Sequence, residues 1–337
     1  MRASYLIKPG TVEVRETPVP SPAKGEVLVK IRSALTCGTD LKAFHRGHPM
    51  IPMPGVFGHE FSGVVAEAGK GVRKFKPGDA VMAVHSAPCL SCRYCKKRLF
   101  NLCESIMNTK VLGAFAEYIL LPPHIVRQNV YHKPAGLSFE EAAFLEPLSC
   151  VVHGMHGLPV GKGDKVLVIG TGPIGLLHLL LAKRKGAEVA VTGLEQERLD
   201  LAKSLGADTV IHASGLADAV GEFTNGLGVD FVFECTGQLD VWETSVHYVR
   251  KGGTVILFGG VKKDTIVTYD TYRLHYGELT LKGVFHFTPA DVKIAYGLLK
   301  GAINVAPLIS GRYSLEELPA ALENLSKGKG IKYAIIP

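Results

Sequence analysis

The sequence predicts a two-domain protein of the α/β plus β class, in which a β-rich domain is interrupted by a domain with a doubly wound parallel sheet. Three observations lead to this prediction. The chain of 337 residues is long enough for about two domains. Short β-strand patterns dominate residues 1–150, and strand and helix patterns alternate from Lys165 onward.

The β-rich region is recognised by short apolar and β-branched runs separated by turn residues. The turn Lys76-Pro77-Gly78-Asp79 directly precedes one of these runs. The predicted strands cover residues 27–31, 61–66, 80–84 and 114–121. A capping-box pattern, in which Glu141 stands three residues after Ser138, then predicts a helix start, and a second helical stretch covers residues 148–157.

Strand and helix patterns alternate in the following region. Strands are predicted over residues 166–169, 189–192, 231–234 and 255–258, and helices over 174–185 and 196–205. Alternation of this kind predicts a parallel sheet with helices on both faces.

The C-terminal region contains one helical stretch, over residues 291–300, and a terminal strand over residues 332–336. We expect these elements to return to the β-rich domain. The predicted domains are therefore residues 1–150 together with 288–337, and an inserted domain of residues 151–287.

The composition is that of a globular protein, with 47% hydrophobic and 20% charged residues. The formal charge is +7, but no run of five basic residues occurs, which argues against a nucleic-acid partner. The sequence predicts neither a signal peptide nor a membrane span, so we expect a cytoplasmic protein. In that setting seven cysteines indicate metal binding or catalysis before disulfides.

Four cysteines lie close together in the chain, with the spacing C-x2-C-x2-C-x7-C. They are Cys89, Cys92, Cys95 and Cys103. Four thiolates within such a loop can surround one tetrahedral zinc ion and saturate it, which predicts a structural Zn²⁺ site. The alternatives are four unrelated buried cysteines or an iron–sulfur cluster, whose usual spacings differ.

A second set of metal donors is predicted from two separate segments, Cys37-Gly38-Thr39-Asp40 and Gly58-His59-Glu60. Alone, a cysteine or a histidine is more often a core residue. Together the segments supply a thiolate, an imidazole and a carboxylate, which is the donor set of an open zinc site with a position for water or substrate.

The segment Gly170-Thr171-Gly172-Pro173-Ile174-Gly175 follows a predicted strand and opens a predicted helix. In this context a G-x-G-x-x-G motif predicts dinucleotide binding. Gly170 permits the tight turn, Gly172 lets the backbone approach the pyrophosphate, and Gly175 allows close packing of helix on strand. The free N–H groups at the start of the helix, around Pro173 and Ile174, face the phosphate charge.

The choice of cofactor depends on the end of the next strand, where an acidic residue is expected for NAD. Gly193 stands there, and Glu195 follows two residues later. Glu195 can reach the ribose hydroxyls, which favours NAD. The alternative is NADP, with Arg198 on the 2′-phosphate, or a solvent-facing role for both side chains.

Further cofactor contacts are predicted at the ends of later strands. Thr236 follows one strand, and Phe258 and Gly259 end the next. His286 is a candidate near the nicotinamide or substrate, with a structural role as the alternative.

The sequence resembles the zinc-containing medium-chain dehydrogenases, of the alcohol, sorbitol and threonine dehydrogenase type, over nearly its whole length. The resemblance rests on the segments already quoted and on Gly25-Glu26-Val27-Leu28-Val29 and Glu146-Pro147-Leu148. It implies a GroES-like β-rich catalytic domain and a Rossmann domain, each chain holding two Zn²⁺ ions, and a homo-oligomer, either dimer or tetramer.

By this resemblance Cys37 and His59 are ligands of a catalytic zinc ion. Glu60 is the adjacent carboxylate, which in the family ligates zinc in some states, and Glu146 binds zinc directly or through its water. Asp40 orients His59. Thr39 takes the proton of the alcohol, with a purely structural role in the turn as the alternative. Members of the family often carry a histidine three residues after this threonine, but here the position is Lys42, and His45 is the nearby alternative.

The resemblance implies a zinc-dependent oxidoreductase that transfers hydride between an alcohol and NAD(P). We expect the alcohol to be a secondary alcohol, a polyol or a sugar, and by analogy with the family Glu146 favours polyols, sugars or hydroxy-amino acids. Two alternatives keep the same fold: a ligand sensor without turnover, and an enone or quinone reductase of the zinc-free type. A non-enzymatic zinc module is a third, against which the glycine turn argues.

Overall fold

The computed structural model describes all residues from Met1 to Pro337. The chain divides into two compact units. One unit comprises Met1–Cys150 and His286–Pro337, and the other comprises Val151–Phe285. The second unit is therefore inserted in the sequence of the first, and each is described below by itself.

The first unit is built from two sheets. Its strands are β1 (Arg2–Lys8), β2 (Thr11–Glu16), β3 (Val27–Leu35), β4 (Gly55–Val56), β5 (Glu60–Ala68), β6 (Ala80–Val84), β7 (Tyr118–Leu121), β8 (Val130–His132), β15 (Ile309–Tyr313) and β16 (Lys332–Ile335). Strands β2, β1 and β4 form a small antiparallel sheet. The larger sheet has the order β15-β16-β3-β5-β6-β8, and β7 pairs with β3.

Short helices connect these strands. They are α1 (Gly38–Arg46), α2 (Arg93–Lys96), α3 (Pro123–Asn129), α4 (Phe139–Ala142), α11 (Pro289–Leu299) and α12 (Leu318–Ser326), while α5 (Leu145–Met155) begins in the first unit and ends in the second.

Strand β3 shows how the first unit forms its core. Val27, Val29 and Ile31 are buried, whereas Lys30 and Arg32 are exposed. This alternation places one face of the strand in the core and the other in solvent. Because β3 pairs with β5, β7 and β16, it is the strand around which the large sheet is assembled.

The second unit contains one six-stranded parallel sheet. Its strands are β9 (Lys165–Ile169), β10 (Glu188–Gly193), β11 (Thr209–His212), β12 (Val229–Glu234), β13 (Val249–Leu257) and β14 (Thr280–Gly283). Its remaining helices are α6 (Pro173–Arg184), α7 (Gln196–Ser204), α8 (Leu216–Thr224), α9 (Leu239–Thr244) and α10 (Thr271–Tyr276). The strand order is β11-β10-β9-β12-β13-β14.

This order reverses direction at β9, as in a doubly wound dinucleotide-binding sheet, and it confirms the predicted fold class. The central strand β9 is buried from Val166 to Ile169, which explains its continuous apolar run. The carboxyl ends of β9, β10, β12 and β13 lie at one edge of the sheet, since all four strands are parallel.

The predicted capping box is present. The Glu141 N–H donates to Ser138 Oγ at 3.1 Å, and the Ser138 N–H donates to the Glu141 carboxylate at 2.9 Å. The helix that it starts is only one turn long, and α5 begins as a separate helix at Leu145.

Two predictions about elements were wrong. The strand predicted over residues 114–121 covers only Tyr118–Leu121, because Ala116 pairs with Ala3 in an isolated bridge and the Ala114 N–H donates to Gly58 O. The C-terminal region holds a second helix, α12, and an additional strand, β15. Pro319 at the start of α12 concealed that helix, although proline is favourable at this position.

None of the helices has both the length and the apolar character that crossing a lipid bilayer requires.

Candidate active site and cofactor-binding turn

Cys37 stands between β3 and α1, where it is the N-cap residue of the helix. Its Sγ accepts a hydrogen bond from the Thr39 N–H at 3.5 Å. The N-terminus of a helix also presents a partial positive charge. The thiolate is the form of cysteine that binds a metal.

His59 and Glu60 are brought to the same place by the start of β5. Gly58 precedes them with φ +84°, and a Cβ atom there would lie 2.7 Å from the ring of Phe115. Glycine is therefore required at this position in the turn that places His59 at the site. Phe57 and Phe115 are fully buried and pack edge-to-face at 5.0 Å, so both belong to the core.

The buried carboxylate of Asp40 lies beside His59. The distance from His59 Nδ1 to Asp40 Oδ1 is 3.4 Å, which leaves Nε2 for another partner. Burial lowers the pKa of His59, but the charges of Asp40 and Cys37 outweigh it and raise the pKa well above its ordinary value. These neighbours therefore favour the protonated, cationic form of the imidazole.

Glu146 reaches the same site from the first turn of α5. Ligand atoms of His59, Glu60 and Glu146 all lie within 4.8 Å of one another, and so do those of Cys37, Asp40 and His59. Burial, together with the neighbouring Glu60, raises the pKa of Glu146 to about 7.

These donors fit a zinc ion. One thiol, one imidazole and carboxylate oxygens are the ligand types that zinc prefers at catalytic sites. Asp40, Glu60 and Glu146 are all buried, and the histidine beside them is drawn towards its cationic form. A divalent cation would compensate this buried negative charge.

Sequence reasoning missed Lys332, which comes from the C-terminal strand β16. Its Nζ donates to Glu60 Oε2 and, at 2.6 Å, to Thr36 O. Burial raises the pKa of Glu60, and the Lys332 ammonium limits that rise. The one available signal was a lysine at the start of the otherwise apolar terminal strand.

His85, at the end of β6, was also missed. Its Nδ1 lies 3.5 Å from Glu146 Oε1. The centroid of its ring lies 5.1 Å from the ring centroid of His59 and 5.4 Å from that of His286. Burial, followed by the neighbouring His59, lowers the pKa of His85 well below its ordinary value. His286, with φ +61°, forms a 2.7 Å hydrogen bond through Nε2 with Ser86 Oγ.

The residues of the predicted proton path lie on α1. Thr39 is half-buried and adjacent to Cys37, and Lys42 is also half-buried. His45 is exposed in the last turn of the helix and so lies apart from the buried donor group.

The four cysteines of the loop converge. The sulfur atoms of Cys89, Cys92, Cys95 and Cys103 lie within 4.8 Å of one another. The Cys92 N–H donates to Cys89 Sγ at 3.4 Å, and the Cys89 N–H donates to Cys103 Sγ at 3.3 Å. Hydrogen bonds from Ser91 and from the backbone lower the pKa of Cys89 to about 5. This arrangement fits a closed, tetrahedral zinc site.

The glycine turn connects β9 to α6 in the second unit. Gly170 has φ +113°, and a Cβ atom on Gly175 would lie 1.9 Å from Gly170 O. Gly172 is the N-cap of α6, Pro173 its first residue and Ile174 its second. The turn thus leaves the N-terminal backbone of the helix open to an anionic group.

Gly193 ends β10, and a Cβ atom there would lie 2.5 Å from Thr171 Oγ1. Glu195 is the N-cap residue of α7, and its Oε2 lies 4.0 Å from a guanidinium nitrogen of Arg198. The close approach of Thr171 to Gly193 leaves no room for a side chain at that position, which explains why no acidic residue ends β10.

Thr236 follows β12, and Phe258 and Gly259 follow β13, at the same edge of the sheet as the glycine turn. The buried Glu234 carboxylate accepts hydrogen bonds from the Thr236 N–H at 2.7 Å and the Gly237 N–H at 2.9 Å. These contacts fix the loop that carries Thr236.

Comparison with known proteins gives two family matches. Residues 23–131 match the alcohol dehydrogenase GroES-like domain, and residues 173–301 match the zinc-binding dehydrogenase domain. The sorbitol dehydrogenase of Halalkalibacterium halodurans is 33% identical over 336 residues, covering 97% of this chain and 96% of that protein. The D-arabitol-phosphate dehydrogenase of Enterococcus avium is 36% identical, covering 94% and 91%.

Solved structures show the same similarity. A zinc-binding dehydrogenase from Sinorhizobium meliloti bound to NADP has a TM-score of 0.90 and 31% identity, covering 100% of this chain and 99% of that one. Galactitol-1-phosphate dehydrogenase from Escherichia coli has a TM-score of 0.89 and 29% identity, with full coverage of both chains.

Proposed function

Because this chain belongs to the zinc-containing medium-chain dehydrogenases and is an NAD(P)-dependent oxidoreductase, we propose that its substrate is a polyol, oxidised at a secondary hydroxyl. The observation that carries the proposal is the carboxylate Glu146 beside His59 in the candidate metal site. Relatives named for sorbitol, arabitol phosphate and galactitol phosphate support the same substrate class.

The catalytic zinc would be held by Cys37 and His59, with Glu146 as direct ligand or as partner of a bound water, and Glu60 beside it. Zinc at such a site supplies a Lewis acid that makes an alcohol easier to deprotonate. Asp40 Oδ1 lies 3.4 Å from His59 Nδ1, and its charge would hold the imidazole in the orientation that a metal needs. The Thr39 hydroxyl takes the proton that the alcohol gives up and passes it on.

The nicotinamide cofactor would be held by the second unit. The pyrophosphate would be held by the backbone of the glycine turn, at Gly170, Gly172, Pro173, Ile174 and Gly175. Thr236, Phe258 and Gly259 lie at the same sheet edge. Glu195, at the N-cap of α7, would contact the ribose hydroxyls, so we favour NAD. Arg198 offers the alternative of a 2′-phosphate contact, and the NADP-bound relative supports that alternative.

The second zinc ion would be held by Cys89, Cys92, Cys95 and Cys103, with a structural role, since four thiolates leave no position for a substrate. We also propose a homo-oligomer in the cytoplasm. A reducing compartment keeps the metal-binding thiols available. Light scattering of the purified protein tests the oligomeric state.

The proposed substrate is tested with a panel of polyols, polyol phosphates and simple alcohols, each with NAD and with NADP. We expect the highest kcat/KM for a compound with a secondary hydroxyl next to further hydroxyls. Cys37→Ser should abolish turnover. Full zinc occupancy without turnover on any alcohol would instead support a ligand sensor, and equal rates with simple primary alcohols would contradict the polyol assignment.

A further inference from the structure

Glu234 is the last residue of β12, at the edge of the sheet from which the glycine turn leaves β9. It is fully buried, although it carries a carboxylate. Its Oε1 accepts hydrogen bonds from the Thr236 N–H at 2.7 Å, from the Gly237 N–H at 2.9 Å and from the Thr236 hydroxyl. Its Oε2 is buried without a hydrogen-bond partner. The side chain of Glu234 therefore spends its hydrogen bonds on the loop that follows its own strand.

The loop after β13 is held to the same residue by its backbone. The N–H groups of Phe258 and Gly259 both donate to Glu234 O, at 3.0 and 2.9 Å. The indole N–H of Trp242 donates to Gly259 O at 3.0 Å. Glu234 thus contacts the loops after two strands, the first through its side chain and the second through its carbonyl oxygen.

These two loops pack backbone against backbone. A Cβ atom on Gly259 would lie 2.2 Å from Gly237 N and 2.7 Å from Glu234 Oε2. A Cβ atom on Gly237 would lie 2.6 Å from Gly260 O. Neither glycine leaves room for a side chain, so a shift of one loop must displace the other.

The carboxylate gives this arrangement its rigidity. Burying a charge is costly unless hydrogen bonds compensate it, and here the loop supplies them. Hydrogen bonds to an ionised acceptor are about twice as strong as those between neutral groups. The loop is therefore ordered before a ligand arrives, which lowers the entropy that binding costs.

We propose that Glu234 is a positioning residue for the nicotinamide cofactor, because it holds the loops of Thr236 and Gly259 together as one preformed binding surface. This inference rests on the part of the proposed function that assigns cofactor contacts to those two residues. It does not depend on the polyol substrate. Glu234 is fully buried, so it acts through the loops and changes cofactor affinity without touching the reacting atoms.

The experiment measures the Kd for NADH from the fluorescence of Trp242, the single tryptophan of the chain, and the hydrogen exchange of cofactor-free protein. Glu234→Met keeps the size of the side chain but removes the acceptor. We expect its Kd to rise about tenfold, with faster exchange in residues 235–238 and 258–260. Glu234→Gln keeps a neutral acceptor, so its Kd should rise only about two- to threefold. The kcat at saturating cofactor and the KM for the alcohol should stay at wild-type values.

Asp230 provides the matched control, because it is a carboxylate near the opposite end of the same strand. It accepts from the Lys165 N–H at 2.6 Å and pairs with Arg250 at 2.7 Å. Asp230→Ala should lower the melting temperature but leave the Kd for NADH unchanged, since its bonds lie at the other edge of the sheet.

Wild-type affinity in folded Glu234→Met would overturn the inference, and so would an equal loss of affinity in Asp230→Ala. If Glu234→Met does not fold, unchanged affinity and exchange in Glu234→Gln would overturn it instead. Failure of the wild-type protein to bind NADH or NADPH would contradict the proposed cofactor site itself. Absence of turnover on polyols would contradict only the substrate assignment.

Discussion

At the scale of single residues, short sequence motifs identify the candidate metal-binding residues but not the other side chains that lie beside them. Cys37, His59 and Glu146 could be named from short segments, because each segment has a recognisable form in the family. Lys332 and His85 could not, because a single lysine at the start of an apolar strand, or a single histidine directly after one, is too weak a signal. Only the pairing of strands brings these side chains to the site.

Asp40 provides a test of how the metal ligands are held. Asp40→Asn keeps the shape but removes the charge that faces His59 Nδ1 at 3.4 Å. We expect zinc affinity at the catalytic site to fall about 10- to 100-fold. Chelator competition measures this change. Zinc in the four-cysteine loop serves as the internal control, and equal loss from both sites would contradict a specific role for Asp40.

His178 predicts a pH dependence of stability. It lies fully buried on α6, stacked 4.3 Å from Phe233, and neither ring nitrogen has a hydrogen-bond partner. Burial lowers the pKa of His178 to about 3. The unfolded chain therefore binds a proton below about pH 6.5 that the folded chain does not bind, and stability falls as pH decreases between those values, by about 1.4 kcal/mol per pH unit.

The variant His178→Leu should abolish this part of the acid sensitivity. Urea unfolding at pH 7.5 and 4.5 should show a loss of free energy of unfolding that is about 3 kcal/mol smaller in the variant than in wild type. Exposed His275 on α10 gives the matched control, His275→Leu. Identical acid sensitivity in wild type and His178→Leu would refute the assignment.

At the scale of elements, periodicity located strands and helices well where the run was long and apolar. Strand β9 and helix α6 were predicted to within one residue at either end, because both are buried along most of their length. The prediction for strand β7 was too long, since a buried apolar run can also pack in the core without pairing to a neighbouring strand. Helix α1 was not predicted, because its start coincides with the metal-binding segment.

The glycine turn allows packing and binding to be separated. Gly172 has φ −75° and open space where a methyl group would lie, whereas a Cβ on Gly175 would clash with Gly170 O at 1.9 Å. Gly172→Ala should therefore leave the melting temperature near wild type but weaken cofactor binding, because the methyl group meets the pyrophosphate. Gly175→Ala should lower the melting temperature, typically by several degrees.

Fluorescence titration with NADH and thermal unfolding without cofactor distinguish the two effects. Equal loss of stability in both variants would show that the turn is not divided into a binding glycine and a packing glycine. Wild-type cofactor affinity in Gly172→Ala would place the pyrophosphate elsewhere.

At the scale of the whole molecule, short strand patterns in residues 1–150 and the alternation of strand and helix patterns after them were enough to predict the class of both units. The inserted sheet is local in sequence, so its strands could be found one after another. The return of the C-terminal residues to the first unit is a long-range pairing of β16 with β3. Sequence suggested that return but could not supply its register, and the register is what places Lys332 against Glu60.

The two proposed metal sites should be independent, because their donors lie in separate segments and each set forms its own cluster. Wild-type protein should contain two zinc ions per chain by elemental analysis. Cys37→Ser should retain about one zinc and nearly the wild-type melting temperature, since β3, which precedes Cys37, is held by pairing with β5, β7 and β16. Cys95→Ser should lose the other zinc and melt several degrees lower, because that ion cross-links residues 89–103.

Loss of both ions in Cys37→Ser would show that the sites are coupled, and one ion in wild type would mean that only one of the two clusters binds metal.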